Sequence, residues 1–162
     1  NLVRQIKLAG FDFDQIKQVN ISSNVPSHVF RGIHANKLNN ENKILKMLSG
    51  TIKGAIIDVN EASDTYGLVY RFVLTAKNPD LLYVPSGFAN GYLTLEPETQ
   101  VLYLHDKEYD PDDNITFNGC GLLDLITDLS PTSKGTMSEN DANSKNVLSL
   151  NLMSKSNDLC DW

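Results

Sequence analysis

Between residues 15 and 106 the chain is a succession of short runs rich in branched and aromatic residues, each cut off by a turn signal. The runs are QIKQVNIS (15–22), SHVFRGIHA (27–35), KILKMLSG (43–50), TIKGAIIDV (51–59), LVYRFVLT (68–75), DLLYVPSG (80–87), ANGYLTLE (89–96) and TQVLYLHD (99–106). Strands spaced this closely, broken by SG, NP, PSG and EPET, predict an all-β sandwich or small barrel. Ahead of them NLVRQIKLAG reads as a short amphipathic helix ending at Gly10, where a left-handed cap costs little. From about Asp110 strand signals fade, and YDPDDN, DLSPTSKGTMSENDANSKN and the last residues read as an irregular C-terminal segment. No internal repeat or low-complexity segment interrupts the pattern.

Composition narrows the function. At 162 residues the whole chain is expected to be one domain, 1–162, large enough to bury a core. A net charge of −6 argues against a general nucleic-acid binder, which needs a basic face. It leaves room for an anionic small ligand, because a few local cations suffice. The two cysteines, Cys120 and Cys160, form no CxxC motif and no cluster with histidine. No disulfide framework or zinc site is expected, and a reducing cytoplasm is the default. No apolar run has the length of a membrane span, and no signal peptide is visible. The chain opens at Asn1 rather than Met, so a preceding N-terminal segment is expected to be missing.

Alternation along a strand sorts the polar groups. In QVLYLHD, Val101, Tyr103 and His105 share one face, while Leu102 and Leu104 share the other and would pack against a second layer. Spacing leaves Tyr103 open between a core tyrosine with a satisfied hydroxyl and a general acid pointing into a barrel lumen. Arg31 and His34 are three apart, so a regular strand would send them to opposite faces. Gly32 lies between them, and a glycine inside a strand often marks a bulge that re-aims a side chain. With such a bulge both would enter one pocket; without it His34 is an ordinary structural histidine. Lys43 and Lys46 are also three apart, so at most one should enter a lumen, the alternative being solvated edge lysines. The histidines are His28, His34 and His105, with no HxH pair and no carboxylate at ligand spacing, so no metal is expected. No GxSxG elbow or glycine-rich phosphate loop occurs. Imidazole, phenol, guanidinium and ammonium groups in one barrel suit proton transfer on a bound anion.

The segments FRGIHA, KILKMLSGTIKGAIIDV, SDTYG, LLYVPSGFANGYLTLE and VLYLHDKEYDPDDN come in an order and spacing that resembles the dTDP-4-dehydrorhamnose 3,5-epimerase family. The likeness runs from about Asp12 to Asp141 and is most specific from Leu81 to Pro111. It implies a cupin-like jelly-roll β barrel without metal or cofactor, usually a homodimer, acting on a nucleotide-diphosphate 4-keto-6-deoxy sugar. By that resemblance Arg31 meets the diphosphate and His34 is the base. Lys43 sits beside the keto oxygen, Tyr103 donates a proton, and Asp141 in SEND orients His34. Gln18 and Asn20 in KQVN, Asn90 and Tyr109 are the remaining substrate contacts it implies.

The implied chemistry suits these residue types. A C–H bond beside a ketone is acidic only when the enolate is stabilised, which a preorganised lysine charge does well in a low-dielectric site. A neutral imidazole near its working pH can take the proton. The phenol on the far side of the sugar can return one with inverted stereochemistry, at C-3, C-5 or both. Three departures bear on recognition rather than on these groups. GFANG stands where the family has GFAHG, an acidic-arginine-glycine motif is absent, and LDLITDLSP replaces a tryptophan-proline stretch. A 3,4-ketoisomerase or a non-catalytic sugar-binding cupin is the alternative reading.

Overall fold

The computed structural model describes residues 10–37 and 40–117, together with Arg4, Ile6, Lys7 and the backbone of three short strands farther on. Eight strands fall on the eight predicted runs: β1 (Gln18–Asn24), β2 (Val29–Asn36), β3 (Lys43–Ser49), β4 (Thr51–Asp58), β5 (Val69–Thr75), β6 (Leu82–Val84), β7 (Phe88–Thr94) and β8 (Thr99–His105). A ninth, β9 (Asn114–Phe117), lies where strand signals were expected to have faded. Its four residues NITF are too short a pattern to stand out, and pairing with β2, His34 opposite Thr116, is what makes them a strand. The short strands are β10 (Thr136–Met137), β11 (Val147–Leu148) and β12 (Ser156–Asp158).

These strands form two sheets, one in the order β1-β8-β3-β6, the other in the order β11-β9-β2-β7-β4-β5-β12 with β10 beside β2. Pairing among β1 to β9 is antiparallel, whereas β10, β11 and β12 pair in parallel at the margins. The sheets face each other across a core in which Leu45, Met47, Val84 and Val101 of the small sheet meet Ile52, Ile56, Phe72, Leu74 and Tyr92 of the large one. Each such side chain contributes about 1.5–3 kcal/mol on burial, so this layer sets how the sheets face each other.

The far face of β8 also behaves as alternation requires. Leu104 packs with Ile6, Phe11 and Ile44, with Leu102 alongside. The chain's own N-terminal segment, through Ile6 and Phe11, therefore supplies the second layer expected on this face. The short helix expected over residues 1–10 is not seen as an element. Arg4, Ile6 and Lys7 are helical among its described residues. Its expected end is present: Gly10 has φ 81°, its N–H donates to the Lys7 carbonyl at 3.1 Å, and Phe11 N–H donates to Ile6 at 3.1 Å. A three-residue 3-10 turn, Phe13–Gln15, then leads into β1. No helix among the described residues is long and apolar enough to cross a membrane.

Candidate active site

A cavity of about 470 Å³ opens between the two sheets. One wall is the small sheet, built by regular alternation. β8 lies between β1 and β3, so Gln18, His105 and Lys43 form one cross-strand row, and Asn20, Tyr103 and Leu45 the next row on the same face. Tyr103 and His105 stack with ring centroids 5.8 Å apart and planes 15° from parallel. Lys43, 8% exposed, turns inward, whereas Lys46 turns out and donates to the carbonyls of Asn78 and Asp80 at 3.1 and 2.8 Å. Strand parity thus decides between the two lysines, admitting one.

The other wall, from the large sheet, depends on an irregularity. Arg31 lies opposite Tyr92 of β7 and His34 opposite Asn90, and the register shifts between them. That bulge lets side chains three positions apart line one cavity, while Phe30 and Ile33 turn to a separate core on the sheet's other face. Gly32 makes the bulge possible. Its φ is 116°, and a Cβ there would stand 2.7 Å from Gly91 Cα and 2.8 Å from the Asn90 carbonyl oxygen. The reciprocal contact is equally close, since a Cβ on Gly91 would meet Ile33 Cγ1 at 2.8 Å. Two glycines thus let the neighbouring strands β2 and β7 approach closely at the bulge. Arg31 is steadied from the opposite sheet, its Nε donating to Asn24 Oδ1 at 2.9 Å.

The cavity carries a carboxylate that no motif announced. Glu41, just before β3 and 8% exposed, pairs through Oε2 with Lys43 Nζ at 2.9 Å and through Oε1 with His105 Nδ1 at 2.9 Å. Burial pushes its carboxyl pKa up, but the His105 hydrogen bond and the Lys43 charge outweigh that and hold it below the ordinary glutamate value. The neighbouring Asn42 holds this loop in place. Its N–H and Nδ2 both donate to the Asp106 carboxylate, at 2.8 and 2.7 Å, and its Oδ1 accepts from Tyr83 Oη and Ser86 N, each at 2.9 Å. Glu41 lies in a polar loop with no regular period, so only the fold shows that it meets Lys43 and His105.

The structure brings together every expected site residue that lies within the described set. Arg31, His34, Lys43, Tyr103, Gln18, Asn20, Asn90 and Tyr109 all line this cavity. Asp141, the expected partner of His34, lies outside the described residues. Gln18 also braces the rim, accepting from Tyr109 N–H at 2.7 Å. Asn90 is 5% exposed, and its side-chain oxygen accepts no hydrogen bond among the described residues. Glu41 and His105 were not expected in the site. The signal for His105 was available, since it shares a face with Tyr103.

A β sandwich whose cavity collects imidazole, phenol, guanidinium and ammonium from both sheets has a cupin-like fold. Comparison with known proteins makes this specific. A family model described as dTDP-4-dehydrorhamnose 3,5-epimerase matches residues 3–147, and the chain belongs to that family. A dTDP-4-dehydrorhamnose 3,5-epimerase of Mycobacterium tuberculosis is 33% identical over 104 residues, covering 64% of this chain and 50% of that protein. The chain thus spans about half the length of this curated relative. The solved rmlC epimerase of Mycobacterium tuberculosis is similar at a TM-score of 0.74 and 28% identity, over 87% of this chain and 70% of that one. The dTDP-4-dehydrorhamnose 3,5-epimerase of Bacillus anthracis, solved with TDP and PPi bound, matches at 0.74 and 26% identity, over 93% of this chain and 82% of that one.

Proposed function

We propose that this chain carries the catalytic cavity of an epimerase acting on a nucleotide-linked 4-keto-6-deoxy sugar at C-3, C-5 or both. The observation that carries this reading is the convergence of Arg31, His34, Lys43 and Tyr103 from two facing sheets on one cavity, in a member of this family. His34 takes the proton beside the ketone, and the electron pair moves onto the keto oxygen as an enolate near Lys43. A group on the facing wall, Tyr103, returns a proton to the opposite side of the carbon. Arg31 holds the diphosphate, for which a guanidinium can supply two parallel hydrogen bonds. A related epimerase solved with TDP and PPi bound supports a dTDP-linked substrate, and a cytoplasmic location is proposed for the reaction. Asp141 is retained as the partner that orients His34.

The test is to incubate the protein in heavy water with dTDP-, UDP-, GDP- and CDP-4-keto-6-deoxyhexoses. Proton NMR should show deuterium next to the keto group and inversion there. Absence of both with every member of the panel, from folded protein, overturns the reading. Label at one carbon only identifies a mono-epimerase.

The active form is proposed to be a homodimer. β1 is an edge of the small sheet among the described residues, and it exposes Val19, Ile21 and the following Val25 at 57%, 58% and 62%. An apolar strand edge of this kind is usually covered. This surface is a better motive for pairing than the Leu102–Leu104 face, which Ile6 and Phe11 already cover. Sedimentation at micromolar concentration should give a dimer, and a monomer refutes it.

A further inference from the structure

The proposed mechanism leaves the Glu41–His105 pair without a task, although both residues line the cavity. Glu41 accepts at His105 Nδ1, 2.9 Å away. A carboxylate in that position favours the tautomer with the proton on Nδ1, which leaves the lone pair on Nε2. Nε2 is buried and has no hydrogen-bond partner among the described residues. A buried polar atom without a partner in a polar cavity calls for a ligand or for a catalytic explanation. His105 also lies two positions along β8 from Tyr103, on the same face and in ring contact with it, on the sheet that faces His34. The loop that carries Glu41 is held by the four hydrogen bonds of Asn42, so the pair is fixed before any ligand arrives.

We propose that His105 is a second proton-transfer residue of this cavity, with Glu41 as its positioning residue. The inference rests on the epimerase reading, since its substrate is the same class of nucleotide-linked 4-ketosugar. His34 and His105 then stand on facing walls. The C–H bond beside the ketone breaks, its proton goes to His34, and its electron pair forms the enolate. The Nε2 lone pair of His105 first takes a proton from solvent. The new Nε2–H bond then breaks, the enolate carbon takes that proton on its other side, the carbonyl re-forms, and His34 returns its proton to solvent. No oxidant or reductant is needed, and Glu41 balances the charge of the imidazolium before transfer. Return of the proton from the β8 wall is thereby divided between His105 and Tyr103.

The experiment follows deuterium uptake and inversion separately, using a dTDP-4-keto-6-deoxyhexose. With His105→Gln, inversion is expected to fall by about 10²-fold, the low end of general acid–base catalysis, while uptake through His34 continues. Tyr103→Phe should leave slow inversion that disappears in the Tyr103→Phe, His105→Gln double variant. With His105→Ala, added imidazole should restore inversion, which no loss of a merely structural contact would allow. Glu41→Gln, which keeps an acceptor for Nδ1–H but removes the charge, should lower kcat with KM unchanged. Wild-type inversion rates in His105→Gln, or a slow His105→Ala that imidazole does not rescue, overturn this inference alone. Absence of uptake and inversion in wild-type protein overturns the epimerase reading together with it.

Discussion

The two walls of the cavity reach the same end by opposite means. The β1-β8-β3 wall is ordinary antiparallel sheet in which every second residue faces the ligand space, so Tyr103, His105 and Lys43 point inward by parity. The β2-β7 wall breaks parity at Gly32, and only that break lets Arg31 and His34 line the same cavity. A regular wall tolerates exchange of any one outward side chain. An irregular wall concentrates its requirement on the backbone of one residue and on the glycine opposite it, Gly91. The site is therefore sturdy on one side and specialised on the other.

This contrast can be broken experimentally. The largest effect is expected from His34→Ala, which should lower deuterium uptake beside the ketone by roughly 10²–10⁴-fold, as for loss of a general base. Mass spectrometry measures this, and uptake at the wild-type rate would mean that the β2 wall carries no base. Gly32→Ala should come next. The new Cβ meets the backbone of Asn90 and Gly91 at a φ of 116°, so a loss of about 1–3 kcal/mol is expected in urea unfolding, typical of a strained backbone position. A smaller change would show that β2 reaches its register without the glycine.

The regular wall answers through its charges. Glu41→Gln should destabilise the fold by about 1–3 kcal/mol near neutrality, because Lys43 and His105 lose a buried partner. The pH dependence has a definite sign. A carboxyl whose folded pKa is lowered stabilises above its unfolded pKa, and that contribution disappears as pH falls through the folded value. The stability gap between wild type and Glu41→Gln should therefore be full above the ordinary glutamate pKa and close below it. A gap that widens on acidification would reverse the assignment. The smallest effect is expected from Lys46→Ala, whose ammonium lies outside the cavity. Its stability should move by no more than about 0.5 kcal/mol, with turnover unchanged; a loss of turnover would put the wrong lysine in the site.

Much of the small-sheet wall could be read before any coordinates. Period-two alternation put Tyr103 and His105 on one face, and the three-residue spacing of Lys43 and Lys46 required that they separate, as they do. The bulge was legible only as an option, because a glycine in a strand permits a register shift without demanding one. Gly91 in β7 decided the matter by giving β2 room to approach. β9 was missed because four residues hold too little pattern, and of the expected N-terminal helix the described residues show Arg4, Ile6 and Lys7 as helical.

What the sequence determined by itself is therefore the inventory and its parity: an all-β chain, its first eight strands, and which side chains share a strand face. Those follow from local chemistry, since strand propensity, turn residues and alternation act over neighbouring positions. Tertiary structure alone decided that β8 lies between β1 and β3, that Arg31 and His34 line one cavity with Tyr103, and that Glu41 bridges Lys43 to His105. These contacts join positions as many as 87 residues apart, as Gln18 and His105 are. Their energy comes from the packing of two sheets across a shared core and from buried charges that tolerate burial only when paired. No local pattern encodes either.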